Sequence, residues 1–203
     1  MRIPNQTQRS QPWRIHSVVD DFTLEDVWRL SAVSGDEDDF ASVLEMVTQS
    51  DPVNAESAPT RFLWAVRDRL GARFDLGRIS TSAGSEKRLA IPGTRELSLA
   101  DRLPADLRGS ADDVHFDHLP FVPLYRTDDE FAAEISNQTV HGVMHLAWVA
   151  TDRGHQAQMA VYVKPRGRFG RFYMAFIKPF RYLIVYPALE RQLARAWSRR
   201  RTR

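Results

Sequence analysis

The chain contains no cysteine, which excludes disulfides and thiolate-based metal or nucleophile chemistry. It also lacks a long uninterrupted apolar run. The longest candidate, Phe172 to Leu189, is broken by Lys178, Pro179, Arg181 and Pro187. Such a stretch is too short and too charged to span a bilayer, and a core helix explains it more simply than an interfacial anchor does. Met1 to Trp13 is polar and shows no apolar leader segment, so a cytoplasmic protein is expected. No serine sits in a nucleophile-elbow pattern. Arg166-Gly167-Arg168-Phe169-Gly170 is basic and glycine-bearing, but it has neither phosphate-loop nor dinucleotide spacing. His115 and His118, beside Asp112, Asp113 and Asp117, have the composition of metal ligands without a supporting pattern. No metal or other cofactor is expected, and no catalytic residue is assigned.

What is present fits one soluble domain. With 203 residues, 43% of them hydrophobic and 27% charged, the chain is long enough to bury a substantial core. The net charge of +2 hides an asymmetry. From Lys164 onward there are twelve Lys or Arg and one acid, Glu190, whereas the preceding 163 residues hold 16 basic and 25 acidic residues. The basic end either meets a polyanion, such as a membrane surface, or complements the acidic remainder of the fold. The second reading is the simpler, with weak anionic-surface contact through the C-terminal arginines and no specific nucleic acid.

Residues 1–11 read as a flexible lead, 12–198 as a single domain and 199–203 as a basic tail. Trp13 to Val19 suits a strand. Thr23 as N-cap, with Asp26 three residues on, suits a helix to about Ala32. A second helix is expected over Asp38 to Thr48, and a third over Pro59 to Leu70. A helical turn is expected around Pro104. Residues 128–165 read as two consecutive hairpins. A turn at Arg153-Gly154 sets Trp148 against Met159, Leu146 against Val161 and Met144 against Val163. A turn at Asn137-Gln138 sets Ile135 against Val140 and Phe131 against Met144. A turn at Thr127-Asp128 sets Leu124 against Phe131 and Val122 against Ala133. All three registers gather apolar residues on one face, and a one-residue slip of any would scatter its set. The aromatic segment 169–198 is the obvious cover for that face, with Pro179 and Pro187 interrupting it. The fold class is therefore α+β, a curved antiparallel sheet closed by a long C-terminal helix.

The opposite face then carries Tyr125, Glu130, His145 and Tyr162 in one cross-strand row, and Glu134 with His141 in another. Glutamate beside histidine is the raw material of acid–base chemistry or half a metal site. The plainer expectation is a solvated outer face whose pairs contribute little.

Three segments resemble a bacterial family known as domain of unknown function 2867. They are Ile91-Pro92-Gly93-Thr94 with Leu97 to Pro104, then Asn137 to His145, and finally Gly170 to Tyr173 through Pro179-Phe180-Arg181 to Pro187. The order of elements also resembles the helix-grip, START-like superfamily. That resemblance implies binding of small apolar molecules or lipids, with a minority of members acting as cyclases or dehydratases.

The leading expectation is therefore a binding module for a small apolar molecule or lipid between sheet and final helix. Phe131, Ile135, Met144, Leu146, Trp148, Met159, Phe172 and Phe176 would line it. One alternative is a cyclase- or dehydratase-type enzyme with Glu and His turned into that cavity. A second is an interaction protein whose basic C-terminus binds a polyanion or membrane.

Overall fold

The structure, a computed structural model, describes residues 1–49, 98–119, 121–136, 140–166 and 186–201. Its strands are β1 (Arg2–Ile3), β2 (Thr23–Gly35), β3 (Val122–Arg126), β4 (Glu130–Ser136), β5 (Val140–Thr151) and β6 (Gly154–Pro165). Its helices are α1 (Asn5–Arg9), α2 (Ile15–Val18), α3 (Phe40–Thr48) and α4 (Tyr186–Arg201), with 3-10 turns at Glu37–Asp39, Leu99–Arg102 and Ala105–Leu107. The strands form one antiparallel sheet in the order β1-β2-β6-β5-β4-β3, curved and accompanied by the C-terminal helix α4. The α+β class is as the pattern implied. The expected third helix, Pro59 to Leu70, and Pro179 lie outside the described residues. Among the described residues no helix is long and apolar enough to cross a membrane.

Both faces of the sheet are covered. On the front, Trp28, Phe131, Leu146, Trp148 and Met159 pack against Phe40 and Leu44 of α3 and Leu193 and Trp197 of α4. On the back, Val27, Tyr125, Val143 and Tyr162 pack against Ile15 and Val18 of α2 and against Leu99, Leu103 and Leu107. Three layers result, with the sheet in the middle. Pro187 is the second residue of α4 as described. It sits in the first turn of α4, where a missing N–H costs nothing and the fixed φ is already helical.

Two elements differ from the sequence reading. Residues 13–19, expected as a strand, hold the single turn α2, because Ile15, Val18 and Val19 have helical spacing and all three are buried. Residues 23–32, expected as a helix, lie in β2. Leu24, Val27, Trp28 and Leu30 mimic helical spacing for a reason specific to this strand. Register shifts fall between Leu24 and Asp26 and between Arg29 and Ser34, and Leu24 and Val27 face the back core while Trp28, Leu30 and Val33 face the front. A bulged strand buried on both faces loses its period of two.

The hairpin registers hold their faces but not their partners. Trp148 pairs with Ala157, Leu146 with Met159 and Met144 with Val161. Phe131 pairs with Leu146 and Ile135 with Gly142. Each hairpin is displaced two residues from the expected pairing, and an even displacement keeps every side chain on its side. The β5–β6 turn closes at Asp152-Arg153, with Thr151 opposite Gly154. Gly154 has φ +99°, and a Cβ there would lie 2.8 Å from the Gly35 carbonyl oxygen, so this position requires glycine. In β3 the displacement is one residue at Val122, opposite Glu134, and two at Arg126, opposite Phe131. A bulge between Pro123 and Tyr125 sends Leu124 to the back core with Tyr125, not to the front beside Phe131.

The lead and the described part of the tail, residues 199–201, lie in regular structure. Residues 2–3 pair with β2, Arg2 opposite Trp28, and α1 follows at once. Arg199 and Arg200 belong to the last turns of α4. Arg200 donates to the Ser42 carbonyl at 2.9 Å and pairs with the Glu45 carboxylate, which holds Glu45 below its ordinary value. This pair is open to solvent, where screening and side-chain entropy leave little net gain. Arg200→Ala is expected to leave the urea unfolding midpoint unchanged at physiological salt. A clear downward shift would show the tail to be a structural tie.

Candidate functional site

The structure brings six of the eight predicted lining residues onto one face. Phe131, Met144, Leu146, Trp148 and Met159 lie in the front core, and Ile135 continues their row on β4, opposite Gly142. Phe172 and Phe176 lie outside the described residues. Cover along this face is uneven. Around Leu146 and Trp148 it is closed, since both are buried and packed with α3 and α4. Trp148 also donates its indole N–H to the Asp36 carbonyl at 2.9 Å. At the other end Ile135 and Val161 are half-buried, and Gly142 brings no side chain to the face. Asp26 sits at this end too, buried and in register with Val161.

The back face carries the polar rows that the strand pattern placed there, but they are not solvated. Glu130 and Glu134 are 3% and 0% exposed, His141 and His145 1% and 0%. A buried charge must be paired and fully hydrogen-bonded to be tolerated, and both glutamates meet that demand. Glu130 Oε2 accepts from His145 Nε2 at 3.0 Å and from the Tyr125 hydroxyl at 2.9 Å. Glu130 also accepts from the backbone N–H groups of Arg14 at 2.9 Å and Ile15 at 3.4 Å. Those amides open α2, so the carboxylate satisfies donors that a helix start leaves without partners.

Glu134 is built the same way one row along. His141 Nε2 lies 2.8 Å from Oε2, the Leu99 amide donates at 3.1 Å, and the Ser98 hydroxyl donates to Oε1. Phe22 closes this pair edge-on, its ring centroid 5.0 Å from that of His141. Asp21, next to Phe22, accepts from Arg102 and from Lys164, each at 2.6 Å. The Arg102 hydrogen bond, helped by Lys164, holds Asp21 down to about 2.

The far side of His145 is met by α1. Gln8 Nε2 donates to His145 Nδ1 and to the Tyr162 hydroxyl, each at 3.0 Å, and Gln158 Nε2 donates to Gln8 Oε1 at 2.6 Å. In this arrangement Nδ1 accepts and Nε2–H donates, so His145 is the neutral imidazole beside an ionised Glu130. The electrostatics agree. Burial pushes His145 below its ordinary value, and the opposing Glu130 hydrogen bond does not make up the difference. Burial would raise Glu130, but the hydrogen bonds from His145, Arg14 and Tyr125 outweigh it and hold the carboxyl low. Burial lifts Tyr162 to about 12 and Tyr125 higher still. Both phenols therefore stay protonated, Tyr125 donating to Glu130 and Tyr162 accepting from Gln8.

All four Glu and His side chains thus lie on the face away from α4. The enzyme alternative required them inside the space between sheet and helix, and they are not there. His115 and His118 are exposed, and no group of three potential ligands converges among the described residues. Sequence reasoning missed Gln8 and Ser98 as partners of the two rows. The polar lead gave no sign that it docks.

A family model matches residues 18–188, from α2 into the start of α4. The chain belongs to the family described as "Protein of unknown function (DUF2867)". The DUF2867 span contains both glutamates, both histidines and all eight predicted lining residues. It begins after Gln8, Arg14 and Ile15, the residues that close the Glu130 row from the N-terminal side. No curated protein and no solved structure matches the chain.

Proposed function

We propose that this protein binds a small apolar molecule or lipid chain on the front face of the sheet, at the end marked by Ile135, Met144 and Val161. The supporting observation is the uneven cover of one continuous apolar face, closed at Trp148 and half-buried at Ile135 and Val161. Apolar walls with a few polar groups are the usual composition of a small-molecule site, and Asp26 supplies a carboxylate at this end. In this reading sheet and α4 work as a helix-grip, START-like scaffold in a cytoplasmic protein, and shape rather than charge selects the ligand.

A fluorescent long-chain fatty acid, titrated into the full chain, is expected to bind saturably. Val161→Trp fills the half-buried end and is expected to weaken binding by about tenfold or more, equivalent to about 1.4 kcal/mol. Binding that is absent in the parent, or equally tight in Val161→Trp, would remove the basis of this reading.

A further inference from the structure

The lead segment 1–11 docks onto the sheet in an unusual way. Of the side chains of α1, only Gln8 is buried, and it is polar. Helices normally hold to a sheet through an apolar stripe, but here the attachment is a carboxamide inserted among Gln158, Tyr162 and His145. Other ties are few. Ile3 is buried in β1, Asn5 Nδ2 donates to the Leu24 carbonyl at 2.7 Å, and His16 Nε2 lies 3.1 Å from the Gln8 carbonyl. Asn5 Oδ1 is buried and finds no partner among the described residues. A segment with little apolar anchorage belongs to the low-stability end of a structure and can open without the rest.

We propose that residues 1–11 form an acid-released strap, with Gln8 as its bolt and His145 as the proton sensor beneath it. Protonating His145 Nδ1 sets an N–H against Gln8 Nε2, donor against donor, and places a cation where burial forbids water. Lifting the strap hydrates that cation and uncovers the row of Tyr125, Glu130, His145 and Tyr162. The sign follows from the direction of the shift. His145 is held below its ordinary 6.5 when the strap is docked, so the open state binds more protons. Docking is therefore complete above pH 6.5 and weakens as pH falls below it.

The charged surroundings act in both directions and do not reverse that sign. His16 on α2 opposes a positive charge at His145, and Glu130 on β4 and Asp129 beside it favour one, but burial outweighs them. Arg14 engages Asp106, and Arg9 bears on Tyr162. Glu130 itself is held below 4.5, so it does not protonate until well below the range in which His145 responds. The strap lies on the face opposite the proposed ligand site and does not depend on that reading.

Hydrogen exchange of the full chain between pH 7.5 and 5.5, corrected for intrinsic rates, tests the strap. Amides of residues 5–11 are expected to lose protection by up to about tenfold, because pH 5.5 lies one unit below the ordinary 6.5 of the uncovered imidazole, while β5 and β6 keep theirs. Gln8→Glu places an acceptor against Nδ1, so its strap is expected to be better protected at pH 5.5 than at 7.5. Protection of β5 and β6 equal to the parent's at pH 7.5 shows that this variant keeps the fold. A strap indifferent to pH, a strap that opens together with β5 and β6, or a Gln8→Glu variant that follows the parent would each overturn the proposal.

Discussion

Glu130→Ala is expected to destabilise the protein by about 3–5 kcal/mol, because it leaves several donors without an acceptor and each buried unsatisfied group costs about 1–3 kcal/mol. The substitution deletes the acceptor for His145, Tyr125 and two backbone amides at once. Two of these donors, the Tyr125 hydroxyl and the His145 ring, are fully buried and cannot turn to bulk water. Glu130→Gln keeps an acceptor oxygen and should lose less, about 1–3 kcal/mol, because the amide cannot satisfy the same donors. Urea unfolding of both variants checks the order. A loss below about 1 kcal/mol for Glu130→Ala would mean that the network contributes no more than an exposed pair does.

Trp148→Ala is expected to cost about 3–5 kcal/mol, as for a large aromatic removed from a close-packed core. Trp148 is 2% exposed, stacks on Phe40 at 6.4 Å between ring centroids and on His155 at 6.1 Å, and donates to Asp36. That places it in the closed end of the front face. Val161→Ala, at the half-buried end, should cost distinctly less, because fewer atoms surround the deleted methyls. Equal losses at the two sites would indicate an evenly filled face.

The two substitutions probe features that were legible in the sequence to different degrees. Period two along β4, β5 and β6 separated the Trp148 row from the His145 row correctly, because an even slip in register leaves faces unchanged. It could not report what covers each face. The front cover was visible as a helical stripe, and Leu193 and Trp197 supply part of it. Part of the back cover was not, because α1 reads Asn-Gln-Thr-Gln-Arg and carries no apolar signal. Hence Glu130 and Glu134 looked solvated when they are sealed. β2 was obscured by its bulges and its burial on both sides, which imitate helical spacing. In β3 one bulge moved Leu124 to the other core, and no residue pattern marks a bulge in so short a strand.

Methyl-region NMR of the full chain, titrated with a medium-chain fatty acid, tests ligand binding on the front face most directly. Saturable shifts are expected for the methyl groups of Ile135, Met144 and Val161. Val27, Leu124 and Val143, on the back face, should stay still. Shifts confined to the back-face methyls, or no saturable shift at all, would contradict a ligand site on the front of the sheet.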